Sequence, residues 1–109
     1  MRLEYKSKRV EKLITDFDKL YKIMSIDLQK KLKITLNRLE AAENLSEFLA
    51  LGLGTPHPLQ NNLNGYYGVK LTGNVRLVVK PNDGDLNSNI IIVKGVCDYH
   101  GEKEEWIIP

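Results

Sequence analysis

The feature that most constrains the fold is the stretch from Gly65 to Lys80, GYYGVKLTGNVRLVVK. It reads as two short strands joined by a tight turn at Thr72-Gly73. Tyr, Val and Leu suit a pleated, half-buried surface, and Gly supplies the positive φ that a hairpin turn needs. In the second strand Val75, Leu77 and Val79 fall on one face, with Asn74, Arg76, Val78 and Lys80 on the other. With the apolar face turned to a core, a guanidinium, a carboxamide and an ammonium share the opposite surface. That surface is where chemistry is expected.

The rest of the chain supplies the other layer. Met1 to Lys6, with alternating Leu3 and Tyr5, suits a first strand. From Ser7 to Met24 the spacing of Val10, Leu13, Ile14, Phe17, Leu20, Tyr21 and Met24 predicts an amphipathic helix. Ser25 or Asp27 caps a second helix that runs to about Glu43, with Leu28, Leu32, Leu36, Leu39 and Ala42 as its stripe. No Pro or Gly interrupts either segment, and the short link predicts an antiparallel helix pair. Ile34 lies off the stripe, either as a surface residue or as a contact for a partner or a further layer.

Asn44-Leu45-Ser46-Glu47 has capping-box spacing and starts a short turn of helix through Leu51. Gly52 to Asn64 reads as a loop, and inside it Pro56 and Pro58 stiffen the backbone on both sides of His57. After a turn at Pro81–Asp85, the apolar run Ile90–Val93 continues toward Val96-Cys97. Its lack of alternation predicts a central strand covered on both faces. The expected fold is therefore α+β in two layers: an N-terminal strand, an antiparallel helix pair, then a mainly antiparallel sheet of three further strands. Residues 1–109 read as one domain, with 101–109 as a tail that adds an edge strand or covers apolar surface. One face of the sheet packs on the helices, and the other is open or covered by a partner.

Composition excludes several classes of function. One cysteine rules out an internal disulfide and suits a reducing compartment, and no apolar run approaches the roughly 20 residues of a membrane span. A cytoplasmic protein that makes no membrane contact is expected. Two histidines and one cysteine make no spaced ligand set, so no metal is expected, and Cys97 is expected to pack beneath the sheet. No phosphate-binding glycine loop is present, and no cofactor is expected. Charge is uneven: residues 1–38 hold eleven Lys and Arg against five Asp and Glu, and residues 39–109 hold five against nine. A basic half attracts nucleic-acid phosphates, which makes Lys30, Lys31 and Lys33 candidate contacts, although helical lysines also simply solvate a surface.

Three segments, taken in order, resemble the HigB branch of the RelE/ParE toxin superfamily. They are His57-Pro58-Leu59, Gly65-Tyr66-Tyr67 leading to Gly73-Asn74-Val75-Arg76-Leu77, and Asp98-Tyr99-His100. The resemblance implies a RelE-like fold and the toxin of a type II toxin–antitoxin system. It also implies a helix-turn-helix, HigA-like antitoxin as partner, a heterotetrameric complex, and ribosome-dependent endoribonuclease action on mRNA. By position it puts His57, Asn74, Arg76, Tyr99 and His100 at the active surface. Gln60 departs from the pattern, because the family commonly has lysine there; Lys70 and Lys80 are the candidates to supply the missing charge. The tail beyond Tyr99-His100 is a second departure.

Metal-free cleavage of RNA drives a ribose 2′-OH onto the adjacent phosphorus. It needs a base, an acid for the leaving 5′-oxygen, and positive charge on the phosphorane-like transition state. Imidazoles suit both proton roles, and which of His57 and His100 is base or acid stays open. Arg76 offers a permanently charged planar fork that matches phosphate. Asn74 orients ribose or phosphate, or is only a hairpin residue. Tyr99 stacks on a base or donates to phosphate, or is packing. Tyr66 and Tyr67 point to opposite faces, one to the core and one toward RNA. Two alternatives stand beside cleavage: a ParE-like poison of DNA gyrase, which has no need of the histidines, and a catalytically weak member that mainly binds its antitoxin.

Overall fold

The computed structural model describes residues 1–100 and 103–109, except for the side chains of Phe17 and His100. Its helices are α1 (Lys8–Thr15), α2 (Phe17–Ile23), α3 (Ile26–Ala41) and α4 (Leu45–Leu51). Its strands are β1 (Arg2–Tyr5), β2 (His57–Pro58), β3 (Tyr67–Thr72), β4 (Val75–Pro81), β5 (Ile90–His100) and β6 (Lys103–Ile108). They form one sheet in the order β1-β5-β4-β3-β2, with β6 on β5 as well. β1 runs parallel to Ile90–Val93 of β5, while β6 pairs antiparallel with Val96–His100, so the two share one edge of the central strand. The remaining pairs are antiparallel. Helices cover one face of the sheet, which is the expected two-layer α+β fold.

The first helix departs from expectation. Residues 7–24 form two helices, because Asp16 adopts an extended conformation (φ −104°, ψ 101°) and caps both. Its backbone N–H still donates to Lys12, while its carboxylate accepts from the N–H groups of Asp18 and Lys19. A short acidic side chain that binds the backbone in this way competes with continued helix. The break resets the helical phase: Val10, Ile14, Leu20 and Met24 stay buried, but Tyr21 is 71% exposed.

The main core lies between helices and sheet. Val10, Leu32, Leu39, Leu45 and Phe48 meet Val69, Leu77, Val79, Ile91, Val93 and Ile108, all with almost no exposure. Thr35 is buried on α3, whereas Leu36 is only partly so. In β4 the expected alternation holds, with Val75, Leu77 and Val79 toward the helices and Val78 in a second cluster on the opposite face. The hairpin turn is one residue later than expected, at Gly73-Asn74, because Thr72 pairs with Val75 after a register shift. Gly73 has φ +46°.

β5 is central, but its apolar run is not covered equally on both faces. Ile91 and Val93 are fully buried, whereas Ile90 and Ile92 are half-buried on the side without helices. The run marked burial by the helices and misjudged the other face. The loop Gly52–Asn64 is also more ordered than a plain connection. It is stitched to β3 by Lys70 N–H donating to Gly54 (2.8 Å) and by the His57–Pro58 pairing.

The tail adds strand β6, which also covers apolar surface. Its end lies so close over β5 that a Cβ on Gly95 would fall on the Ile108 carbonyl oxygen and 3.4 Å from the Trp106 ring. Only glycine leaves room for that approach. Gly95→Ala is therefore expected to displace the end of β6. The expected cost is about 1–3 kcal/mol, typical of overpacking, read by denaturant unfolding, with Trp106 emission shifted toward that of a solvated indole. Unchanged stability and emission would contradict this packing.

Candidate functional site

The face of the sheet away from the helices carries the polar chemistry. Cross-strand register sets Lys70, Arg76, Cys97 and Trp106 in one line across β3, β4, β5 and β6. A second line, two residues along, runs His57, Gly68, Val78 and Gly95. The floor beneath them is a small apolar cluster of Leu63, Tyr66, Val78 and Cys97, with Leu59, Tyr99 and Trp106 packed against it. This face is therefore partly roofed by the chain itself. Cys97 is buried as expected, but on this side and not against the helices.

Arg76 is half-buried, with its guanidinium anchored to the turn. Nη1 donates to the Gly73 carbonyl at 2.8 Å and to the Val75 carbonyl at 3.4 Å. No described carboxylate pairs with it. A guanidinium has five N–H donors, so these contacts aim the fork without exhausting it. Asn74 sits at the exposed tip of the same turn, and its carbonyl accepts from the Tyr99 N–H at 3.0 Å. The hairpin tip is thereby tied to the end of β5.

Tyr99 lies beside Arg76. Its hydroxyl is shielded from solvent without a hydrogen-bond partner among the described residues. Burial, then the neighbouring Cys97 and Glu104, push its phenol up to about 12, against the opposing pull of Arg76. Burial, with Glu104 and Asp98, likewise pushes the Cys97 thiol up to about 11. Both groups are neutral at physiological pH, and the charges around them are Arg76, the exposed Lys70 opposite it, and Glu104 on β6.

His57 is exposed, on the segment that pairs with β3 opposite Gly68. Its Nδ1 lies 3.1 Å from the Thr55 carbonyl, presented by a backbone with φ +41°. A carbonyl only accepts, so Nδ1 is the donor in this contact and Nε2 takes no part in it. Strand geometry sets His57 two strands from Arg76 and two residues along, roughly 10 Å by 7 Å. The two side chains thus flank a gap and do not touch. His100 ends β5, with its backbone paired to Lys103, and its side chain lies outside the described residues.

The candidate lysines divide. Lys80 is half-buried on the same face as Arg76, four residues along β4. Lys30, Lys31 and Lys33 are exposed on α3, in the helix layer on the far side of the sheet. Lys31 shares a groove with Thr55 and Lys70 beside β3. Ile34 is 45% exposed and, with Lys31, Arg38, Phe48 and Leu71, lines a groove where α3 meets β3 and the Gly54-Thr55 turn. Among the described residues no three His, Cys, Asp or Glu side chains gather as metal ligands do, and no helix is long and apolar enough to cross a membrane.

Two lysines and a tryptophan join this face without having been singled out in the sequence. Lys6 donates to the Tyr66 hydroxyl at 2.8 Å and lies 5.3 Å from the centre of that ring. Lys80 lies 5.0 Å and Lys94 6.0 Å from the same centre, and Lys94 is also 4.7 Å from the Trp106 ring. Burial alone would raise the Tyr66 phenol, but the Lys6 hydrogen bond and the charges of Lys6 and Lys80 bring it below its ordinary value. Tyr66 and Tyr67 do point to opposite faces, Tyr67 packing toward the helices.

The raised thiol and phenol make a stability prediction. Both are held neutral in the fold, so their contribution is complete below their unfolded values and is lost as pH rises through about 11 and 12. Unfolding free energy is expected to fall from about pH 9 upward, and less steeply in Cys97→Ala. Native Cys97 is expected to react with a thiol reagent at pH 8 far more slowly than the urea-unfolded chain. Equal rates would contradict its burial.

No protein-family model matches the sequence, and no curated protein matches it. Solved structures do. The chain is similar to one from the YoeB–YefM complex of Staphylococcus aureus, at 24% identity over 92% of this chain and 97% of that one, with TM-score 0.58. It is similar to one from the heterotetrameric YoeB–YefM toxin–antitoxin complex of that organism, at 25% identity, the same coverage and TM-score 0.57. The Staphylococcus aureus YoeB dimer gives 25% identity, the same coverage and TM-score 0.55. With helices on one face of a mainly antiparallel sheet and a match over nearly its whole length, this chain has the YoeB toxin fold.

Proposed function

We propose that this protein is the toxin of a type II toxin–antitoxin pair in the RelE/ParE superfamily and cleaves mRNA on the ribosome. The observation that carries this reading is Arg76. It is a guanidinium on the helix-free face, aimed by two backbone carbonyls, with no described carboxylate neutralising it. The YoeB likeness supports the superfamily, and the His57-Pro58-Leu59 and Asp98-Tyr99-His100 segments support its HigB branch.

In this reading the scissile phosphate occupies the gap between His57 and Arg76. Arg76 takes the charge that builds on the non-bridging oxygens, with Lys70 across the strand pair adding to the field where Gln60 supplies none. One imidazole removes the 2′-OH proton while the other protonates the leaving 5′-oxygen. His57 and His100 share these two roles between them. Asn74 orients the ribose from the turn. Tyr99 is an uncharged neighbour of Arg76, with its hydroxyl shielded from solvent. Lys30, Lys31 and Lys33, on the opposite side, contact ribosomal RNA. The partner is a helix-turn-helix, HigA-like antitoxin in a heterotetramer, and the site of action is the cytoplasm.

Controlled expression in growing cells with mapping of transcript 5′ ends tests this directly. The expected result is growth arrest with new, codon-phased ends that vanish in Arg76→Ala. Arrest with DNA damage and intact messages would favour gyrase poisoning instead, and no arrest would favour a member that only binds its antitoxin. His57→Gln is expected to slow cleavage by about 10²-fold or more, the usual range for a lost proton-transfer group. Lys→Glu changes at Lys30, Lys31 and Lys33 together are expected to weaken ribosome binding and its salt dependence while leaving the thermal unfolding midpoint unchanged.

A further inference from the structure

Tyr66 brings together three cations from distant parts of the chain. Lys6 follows β1, Lys80 stands on β4 and Lys94 on β5, and all three ammonium groups lie within 6.0 Å of one ring centre. None of the three is in an ion pair with a described carboxylate, and Glu4, the acidic residue of β1, is engaged by Arg2 at 3.2 Å. Like charges this close repel one another, and cation–π contact offsets only part of that cost. Such a cluster is an electropositive seat that an anion stabilises.

The backbone is irregular where it builds this cluster. Val78 pairs with Gly95 while Val79 pairs with Val93, which leaves Lys94 as the extra residue of a bulge. Alternation from Ile90 and Ile92 already sends Lys94 to this face, and the bulge sets Gly95 and then Cys97 on it as well. Here Lys94 reaches both the Tyr66 ring and Trp106, and Trp106 is delivered by the strand that Gly95 lets approach. The lowered phenol of Tyr66 reports the same positive field.

We propose that Lys6, Lys80 and Lys94, arranged around Tyr66, form a seat for a backbone phosphate of the RNA strand that crosses this face. It is separate from the scissile phosphate at Arg76. Lys80 lies four residues from Arg76 along β4, roughly 13 Å, with Arg76 anchored to the Gly73 carbonyl and Lys80 held over the Tyr66 ring. The seat fixes the strand at a second point and sets which bond lies between His57 and Arg76. It takes any nucleotide, because phosphate contacts position a strand without reading bases. This inference rests on the reading of the helix-free face as an RNA surface, which the Arg76→Ala transcript mapping tests on its own.

The test is binding of a labelled single-stranded 2′-O-methyl oligoribonucleotide, which lacks the attacking hydroxyl, to the purified protein across a salt series. Lys6→Gln, Lys80→Gln and Lys94→Gln are each expected to lower the slope of log affinity against log salt by about 0.7, and together by about 2. The unfolding midpoints of the variants are measured alongside, and Lys12→Gln on α1 serves as a charge-loss control expected to leave the slope unchanged. Inorganic phosphate alone, followed through Trp106 fluorescence, is expected to bind only weakly. Folded variants with wild-type affinity and slope would overturn the seat, even where Arg76→Ala abolishes cleavage. So would a wild-type protein that fails to bind the oligonucleotide in low salt. Phosphate saturation without any oligonucleotide effect would assign the cluster to a free anion and overturn it as well.

Discussion

The antiparallel pairing of β4 with β5, from Val75 opposite Asp98 to Pro81 opposite Ile91, sets the position of every group on the helix-free face. It puts Arg76 beside Cys97 and Lys80 beside Ile92, and its bulge keeps Lys94, Gly95 and Cys97 on the same face. β5 can hold that register because both its edges are occupied, one by β4 and the other by β1 and β6 in succession. Sliding the pair by one residue would send Leu77 and Val79 out of the helix-packed core and Arg76 into it. The same apolar burial that stabilises the fold therefore aims the cations.

The two faces of the sheet are built on different balances. The helix side is an apolar core with Phe48, Leu39, Leu45 and Leu77 fully excluded from water. The other side keeps only a small apolar floor, and its chemistry sits at the margin, half-buried. Neutral Cys97 and Tyr99 carry no charge there, because desolvation makes ionisation costly. Arg76 is fixed by backbone carbonyls, contacts that orient it without cancelling its charge. A carboxylate in their place would stabilise the free protein and weaken its attraction for phosphate.

Much of this was legible in the sequence, and the gaps have physical causes. The period-two pattern of Val75–Lys80 identified the strand, its core face and the cationic opposite face, because side chains alternate by necessity. The three-to-four spacing identified helix from Lys8 to Ile23, but the Asp16 break is a competition between a side chain and the backbone that apolar periodicity does not register. Ile90–Val93 announced a central strand, yet an apolar run carries no information on how much of each face is covered. Lys6 and Lys94 were invisible as site residues. One depends on a parallel pairing of segments far apart in sequence, the other on which strands flank β5, and both are properties of tertiary register. The uneven charge of the two halves was real, but the fold gathers cations from both halves around Tyr66.

The central claim is that RNA lies on the face of the sheet that the helices leave uncovered. Amide chemical-shift mapping with a non-cleavable oligoribonucleotide measures this most directly, since it registers even weak binding residue by residue. The expected result is that the largest shifts fall at the Gly73-Asn74 turn, along Arg76–Lys80 and Lys94–Tyr99, and at His57. Shifts confined to α3 and the groove at Ile34, with β4 and β5 unmoved, would contradict it.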